Sequence, residues 1–318
     1  MGIRVIKPGL LSSIQDLGRY GYQKSGMAVS GAMDGLALQI GNLLLGNAKE
    51  TAGLECTLLG PVLVFEKDQL IALTGGDLSA QIDGLAVPMW KPLYVHRGAV
   101  LSFGKAVKGC RTYLCVYGGF NLPEVLSSAS TYLKAGIGGW KGRALKRDDL
   151  IPFKRLYTKS LKKFNWSSVP GIYPDLQSNR IRVLEGPEFK SFTRKSRSDF
   201  FEQSFSLSTQ ADRMGHYLDG PLLYRDQNGE LLSAAVSFGT VQVPPQGKPI
   251  VLMADHQTTG GYPRIAQVIT ADLTCMAQMQ AGHQIRFEGI GLAQAQELLV
   301  KRKQQLEELQ KAITLKYG

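Results

Sequence analysis

The 318-residue sequence predicts a mainly β protein of two domains. Length exceeds the usual single-domain size, and 44% hydrophobic content supplies ample core. Short apolar segments punctuated by 36 Gly and 14 Pro recur along the chain, and helix-forming runs are scarce before residue 292. The spacing predicts domains at residues 1–170 and 171–290, then a terminal helix at 291–318.

Taken in order, residues 3–6 make a short strand that Pro8 and Gly9 end. Gln15, Asp16, Arg19 and Tyr20 crowd around Gly18 and Gly21, which suits an irregular polar loop. Ser30 is then the expected N-cap of a helix carrying Ala37, Leu38, Ile40, Leu44 and Leu45, with Asp34 in its first turn. Asp34 either complements the helix dipole or serves chemistry. Strands follow at 58–59, 62–65, 70–74, 94–96, 100–103 and 112–117. Two of them are expected to end in the glycine pairs Gly75-Gly76 and Gly118-Gly119.

Residues 127–149 are rich in Ser, Thr and Gly and include Ser130, Thr131 and Arg143. Such a loop either holds a polar small molecule or is a surface connection. The basic, aromatic and Pro-bearing segment 151–179 is the candidate boundary. In the second half, Asp212 and Arg213 form either a surface ion pair or a preorganised fork for a carboxylate, phosphate or ureido carbonyl. Residues 250–254 read as a buried strand, and Asp255, His256, Gln257, Thr258 and Thr259 follow it as five polar side chains in a row. Gly260, Gly261 and Pro263 then force a turn whose bare N–H groups suit an anionic or carbonyl oxygen. An ordinary strand-turn-strand corner is the alternative. After residue 291, Leu292, Ala295, Leu299, Arg302, Leu306, Leu309 and Ile313 step by three and four, as in an amphipathic helix.

The formal charge of +11 raises nucleic acid as a partner, but its distribution argues against one. Nine Lys or Arg fall between residues 141 and 163, which reads as a solvated face or an inter-domain segment, with a docking surface for an acidic partner as the alternative. Cys56, Cys110, Cys115 and Cys275 show no zinc spacing, and His96, His216, His256 and His283 are too scattered to nominate a metal. No apolar stretch approaches the roughly 18 residues of a membrane span, and the N-terminus lacks a signal-peptide core. A cytoplasmic protein without membrane or nucleic-acid partners is expected.

Laid side by side, several segments carry a resemblance: GLLSSIQDLGRYGY (9–22), SGAMD (30–34), LECTLLGP (54–61), GGWKGR (138–143), ADRMG (211–215) and DHQTTGGYPRIAQV (255–268). The chain resembles the biotin-dependent carboxyltransferase family, in the branch of allophanate hydrolase subunit 2 and the 5-oxoprolinase C subunits. The resemblance implies two tandem cyclophilin-like β-barrel lobes and a heteromeric complex with a 5-oxoprolinase B subunit of related fold plus an A subunit. It also implies ATP-driven opening of 5-oxo-L-proline to L-glutamate, because phosphorylating a lactam oxygen turns a poor electrophile into one that water can attack. No Walker A pattern is present, since Gly247-Lys248-Pro249 lacks the spacing and the Ser or Thr. ATP is therefore expected to be shared with partner subunits. No biotin-attachment motif appears, so no biotin is expected on this chain.

The expected catalytic set is Asp34, Asp212, Arg213, Gln257, Thr258 and Thr259, with Asp16 an alternative to Asp34 as acid or base. Gly260, Gly261, Tyr262, Ser130, Thr131 and Arg143 are expected to bind the cofactor, Tyr262 by stacking. Two departures from the family pattern stand out: Ala129 replaces an Arg in a Ser-Arg-Ser-Thr run, and Ala211 replaces a Ser. Two other functions fit: a biotin-dependent carboxyltransferase acting on urea or a similar amide, and a non-catalytic antagonist of a kinase-inhibiting partner of the B-subunit type.

Overall fold

The computed structural model describes residues 1–158, 167, 170–226, 229 and 231–317. The end of the basic run, from residue 159, and part of the expected boundary segment lie outside the described residues. The chain divides into two compact units. The first comprises Met1–Arg19, Ser30–Pro174 and Lys303–Gly318, and the second Tyr20–Val29 and Asp175–Arg302.

The first unit contains strands β1 (Gly2–Lys7), β2 (Leu11–Gln15), β3 (Gly53–Thr57), β4 (Val62–Phe65), β5 (Gln69–Asp77), β6 (Gln81–Ile82) and β7 (Leu85–Ala86). It continues with β8 (Pro92–Val95), β9 (Val100–Ser102), β10 (Lys108–Val116) and β11 (Leu150–Pro152), and helix α1 spans Gly35–Leu44. One sheet runs β11-β1-β4-β9-β6-β7 and the other β2-β3-β10-β5-β8. In β1, Ile3 and Val5 are fully buried while Arg4 and Ile6 are only partly so, the alternation of a sheet with one face on a core. Strand β5 is buried along almost its whole length because both faces of its sheet are covered. Ile71 and Leu73 join the core with Ile3, Phe65 and Leu114, whereas Leu70 and Ala72 pack with α1. Gly41 lets that helix close on the sheet, since a Cβ there would lie 2.8 Å from Cys115 Sγ and Thr74 Oγ1.

The second unit contains β12 (Arg180–Glu185), α2 (Arg194–Glu202), β13 (Phe205–Leu207), β14 (Gly215–Asp219), β15 (Ala234–Ala235), β16 (Thr240–Gln242) and β17 (Ile250–Leu252). After these come β18 (Thr259–Gly260), β19 (Arg264–Val268), α3 (Leu273–Ala277) and β20 (Gln284–Gly289), then α4 (Leu292–Tyr317), whose residues from Lys303 onward belong to the first unit. Seven strands close a barrel in the order β12-β19-β16-β17-β14-β13-β20, sealed by the parallel pairing of β12 with β20. Phe200 of α2 stacks on Phe287 of β20 at 4.5 Å, and both rings are buried. Strands β15 and β18 form a separate two-stranded ribbon.

The mainly β class, the barrel and the terminal helix agree with expectation; the strands of the first unit fall into two sheets. Several local expectations need correction. Asp34, not Ser30, caps α1: its side chain accepts from the Ala37 N–H, while Ser30 has a left-handed φ of 57°. Gly75 and Gly76 lie inside β5, where the pairing with β10 shifts register. Leu58 and Leu59 fall beyond β3, because Leu58 turns the chain with φ 59°. In α4 the stripe is buried only toward its end, at Leu309 and Ile313, whereas Leu292 and Leu299 are exposed. All four cysteines are buried and none forms a disulfide.

Candidate functional site

In the first unit the chain leaving β2 is fixed by Asp16. Its carboxylate accepts from the hydroxyls of Ser128 (2.8 Å) and Ser130, and from the N–H groups of Ala129 (2.6 Å) and Gly18 (2.7 Å). The buried Arg19 donates to the Ser130 carbonyl, and the Thr131 hydroxyl donates to the Ile14 carbonyl at 2.9 Å. Gly138 and Gly139 follow with φ of 68° and 53°, and a Cβ on either would collide with Ser130 or Thr131. Ser130 and Thr131 are thus members of a buried polar lattice. Arg143 makes a two-pronged contact with Asp149, 2.7 Å at each nitrogen, and the Lys146 N–H adds a third bond of 2.7 Å.

Asp34 is wholly buried. Besides capping α1, it accepts from the Tyr173 hydroxyl at 2.5 Å, and its N–H donates to Tyr113 Oη at 2.8 Å. The Tyr113 hydroxyl in turn donates to Glu55 at 2.6 Å, and Glu55 also accepts the Met33 N–H at 2.9 Å. Burial, with Glu55 and Asp34 beside it, pushes the Tyr113 phenol well above its ordinary value.

In the second unit, Arg213 and Asp212 are not paired with each other. Arg213 is buried and its guanidinium meets Asp255 at 2.9 and 3.0 Å. Asp212 is exposed and accepts the N–H groups of Met214 (2.7 Å) and Gly215 (3.0 Å), a local turn. Adjacent residues at a strand entry point in different directions, and the β14–β17 pairing, Gly215 opposite Leu252, supplies Arg213 with a partner 42 residues on. His256 donates from Nδ1 to the Gln257 carbonyl at 2.5 Å. Burial holds its imidazole below the ordinary value, against the Gln257 bond and the charge of Asp255.

Gln257 and Thr259 are exposed, Thr258 half-buried. Thr259 and Gly260 pair with Ala234 and Ala235 in the ribbon, so Gly260 is a strand residue; a Cβ on it would lie 2.7 Å from Gln242 Nε2. Gly261 and Tyr262 line a cavity of about 620 Å³ with Tyr224, Arg225, Leu231 and Pro244. Sequence reasoning does not single out Asp255 as the partner of Arg213, nor Tyr224, Arg225, Glu55 or Tyr173. Only Asp255 carries a signal, as an ionisable group directly after a buried strand. Among the described residues no group of three or more His, Cys, Asp or Glu could hold a metal ion. The site residues therefore fall in two groups: Asp34, Ser130, Thr131 and Arg143 in the first unit, and Asp212, Arg213 and 257–262 in the second.

Residues 25–289 match the family described as "Carboxyltransferase domain, subdomain A and B". The chain belongs to this carboxyltransferase-domain family. It is similar to the C subunit of the Haemophilus influenzae 5-oxoprolinase, with 40% identity over 95% of this chain and 96% of that one. The C subunit of the Escherichia coli 5-oxoprolinase is 42% identical over 92% of this chain and 93% of its own. Among solved carboxyltransferase-domain proteins, the Kluyveromyces lactis urea amidolyase superposes with a TM-score of 0.90 at 28% identity. That likeness covers 97% of this chain and 20% of the amidolyase.

Proposed function

We propose that this chain is one component of an ATP-dependent complex that hydrolyses 5-oxo-L-proline to L-glutamate. The observation that carries the reading is the near end-to-end correspondence with two 5-oxoprolinase C subunits, whereas the urea amidolyase of Saccharomyces cerevisiae is matched over only 16% of its length. The naming of those relatives as subunits makes a multi-chain enzyme the natural setting.

In this reading the run after β17 binds the reacting amide. The Arg213–Asp255 pair fixes the origin of the run. Exposed Gln257 and Thr259, with Thr258, then offer amide and hydroxyl groups to a carbonyl or phosphoryl oxygen. Tyr262 offers a ring face to the substrate. Asp34 acts as acid or base only if Tyr173 releases its carboxylate, and Asp16 serves to hold the 128–131 loop. ATP supplies activation of the lactam oxygen. Lys248, of the Gly247-Lys248 pair, is engaged with Asp219 at 2.8 Å. In this reading the nucleotide is shared with partner chains.

The test is turnover by the chain co-purified with its partner subunits, with and without ATP, read as glutamate release from 5-oxo-L-proline and as consumption of urea. ATP-dependent turnover of 5-oxoproline by the complex, and none by the chain alone, is expected. Turnover of urea in its place would favour the carboxyltransferase function, which the urea amidolyase likeness supports. Partner binding without any turnover would leave the antagonist role.

A further inference from the structure

We infer that the 620 Å³ cavity of the second unit binds a small planar cyclic amide bearing a carboxylate, with Arg225 as the anion anchor and Tyr224 and Tyr262 covering the ring. This deepens the proposed function and rests on it.

Arg225 donates from Nε to the Ser191 hydroxyl at 3.2 Å and from Nη1 to the Gly229 carbonyl at 2.9 Å. Both acceptors are neutral, and no acidic residue is among the described ones that line the cavity. The guanidinium is oriented by these bonds, yet neither of them offsets its charge. Phe192, Leu223, Val243 and Pro244 beside it lower the local dielectric, which strengthens attraction for an anion over what water would allow. A planar fork of donors suits a carboxylate in particular.

Tyr224 and Tyr262 are each about half exposed, 50% and 48%, on the cavity they share, and so have ring surface to offer a flat ligand. Both walls are held from behind. Tyr224 N–H donates to Ser196 Oγ at 2.8 Å, the Thr193 N–H to the Tyr224 carbonyl at 3.0 Å, and the Asp226 N–H to the Ser191 carbonyl at 2.9 Å. On the Tyr262 side, Gln242 Nε2 donates to the Tyr262 carbonyl at 3.2 Å, and the Val243 N–H to the Pro263 carbonyl at 3.0 Å. The volume lies within the range of small-molecule sites.

The test is titration calorimetry on the assembled complex with 5-oxo-L-proline and with 2-pyrrolidone, the same ring without the carboxylate, alongside the hydrolysis assay. Wild type should prefer the acid. Arg225→Gln should weaken the acid about tenfold or more and leave 2-pyrrolidone unchanged, with Arg225→Lys recovering part of the loss. Unchanged acid affinity in both variants, equal weakening of both ligands, or no binding of either ligand by wild type overturns the proposal. If Arg225 governs binding but the complex does not hydrolyse 5-oxoproline, the binding site stands and the proposed reaction falls. Hydrolysis whose KM ignores Arg225 would do the opposite, keeping the reaction and removing the site.

Discussion

Arg213 and Asp255 are two opposite charges with about 5% of each side chain exposed, joined by two hydrogen bonds. Taking both from water is costly, and their mutual attraction roughly offsets that cost, so the pair adds little net stability as a pair. Removing one partner is different, because it takes a two-bond counter-charge away from a group that stays buried. Arg213→Ala or Asp255→Asn should therefore cost about 3–5 kcal/mol in urea unfolding, while the apolar double variant Arg213→Met/Asp255→Leu should recover part of the loss. A loss below about 1 kcal/mol in both single variants would show that the pair is not buried as described. The same pair separates what a sequence carries from what it does not. Residue types after β17 and before β14 are legible as polar knots, but adjacency suggests Asp212 as the partner of Arg213. The true partner is set by strand register, through the Asp255 N–H to Arg213 carbonyl bond of 2.8 Å, and register between strands this far apart in sequence is a tertiary property.

The loop joining residue 128 to β11 shows the same division between legible chemistry and illegible geometry. Its Ser, Thr and Gly content announces a loop, and Arg143 stands out as a cation beside Gly142. What the residues could not show is that Arg143 is committed to Asp149. Burial alone would raise the Asp149 carboxyl. The bonds from Arg143 and the Lys146 N–H outweigh it and hold the carboxyl at about 2. In the unfolded chain the group titrates near 3.9, roughly two orders of magnitude in proton affinity above the folded state. A carboxylate with a depressed folded value stabilises above its unfolded value and loses that contribution as pH falls through the interval toward 2. The contribution is about 2 kcal/mol, since Asp149 is buried. Urea unfolding at pH 5 and pH 3 should show this acid dependence in wild type and a shallower one in Asp149→Asn. Identical slopes in the two proteins would place the acid sensitivity elsewhere.

At the scale of the whole chain, the β class and a terminal amphipathic helix are legible because both are periodicities, of two and of 3.6 residues. A stripe shows which face of a helix is apolar, not what that face meets. The residues of α4 from Lys303 onward belong to the first unit, where Leu306, Leu309 and Ile313 pack with Leu36, Ile40 and Leu44 of α1. Nothing in the order of the sequence joins residue 309 to residue 40; only the packing does. A fragment of residues 1–174 therefore lacks part of its own core. Each large aliphatic side chain buried there contributes about 1.5–3 kcal/mol, so losing Leu309 and Ile313 alone removes a large share of the roughly 5–15 kcal/mol that holds a domain folded. The fragment should melt at lower temperature than the same unit in the intact chain and bind a hydrophobic dye such as ANS. A peptide of residues 291–318 added in trans should raise the melting temperature and displace the dye, and a peptide with Leu306, Leu309 and Ile313 changed to Ser should do neither. If the bare fragment unfolded as cooperatively and at the same temperature as the intact chain, the helix would be an ornament on a core already complete without it.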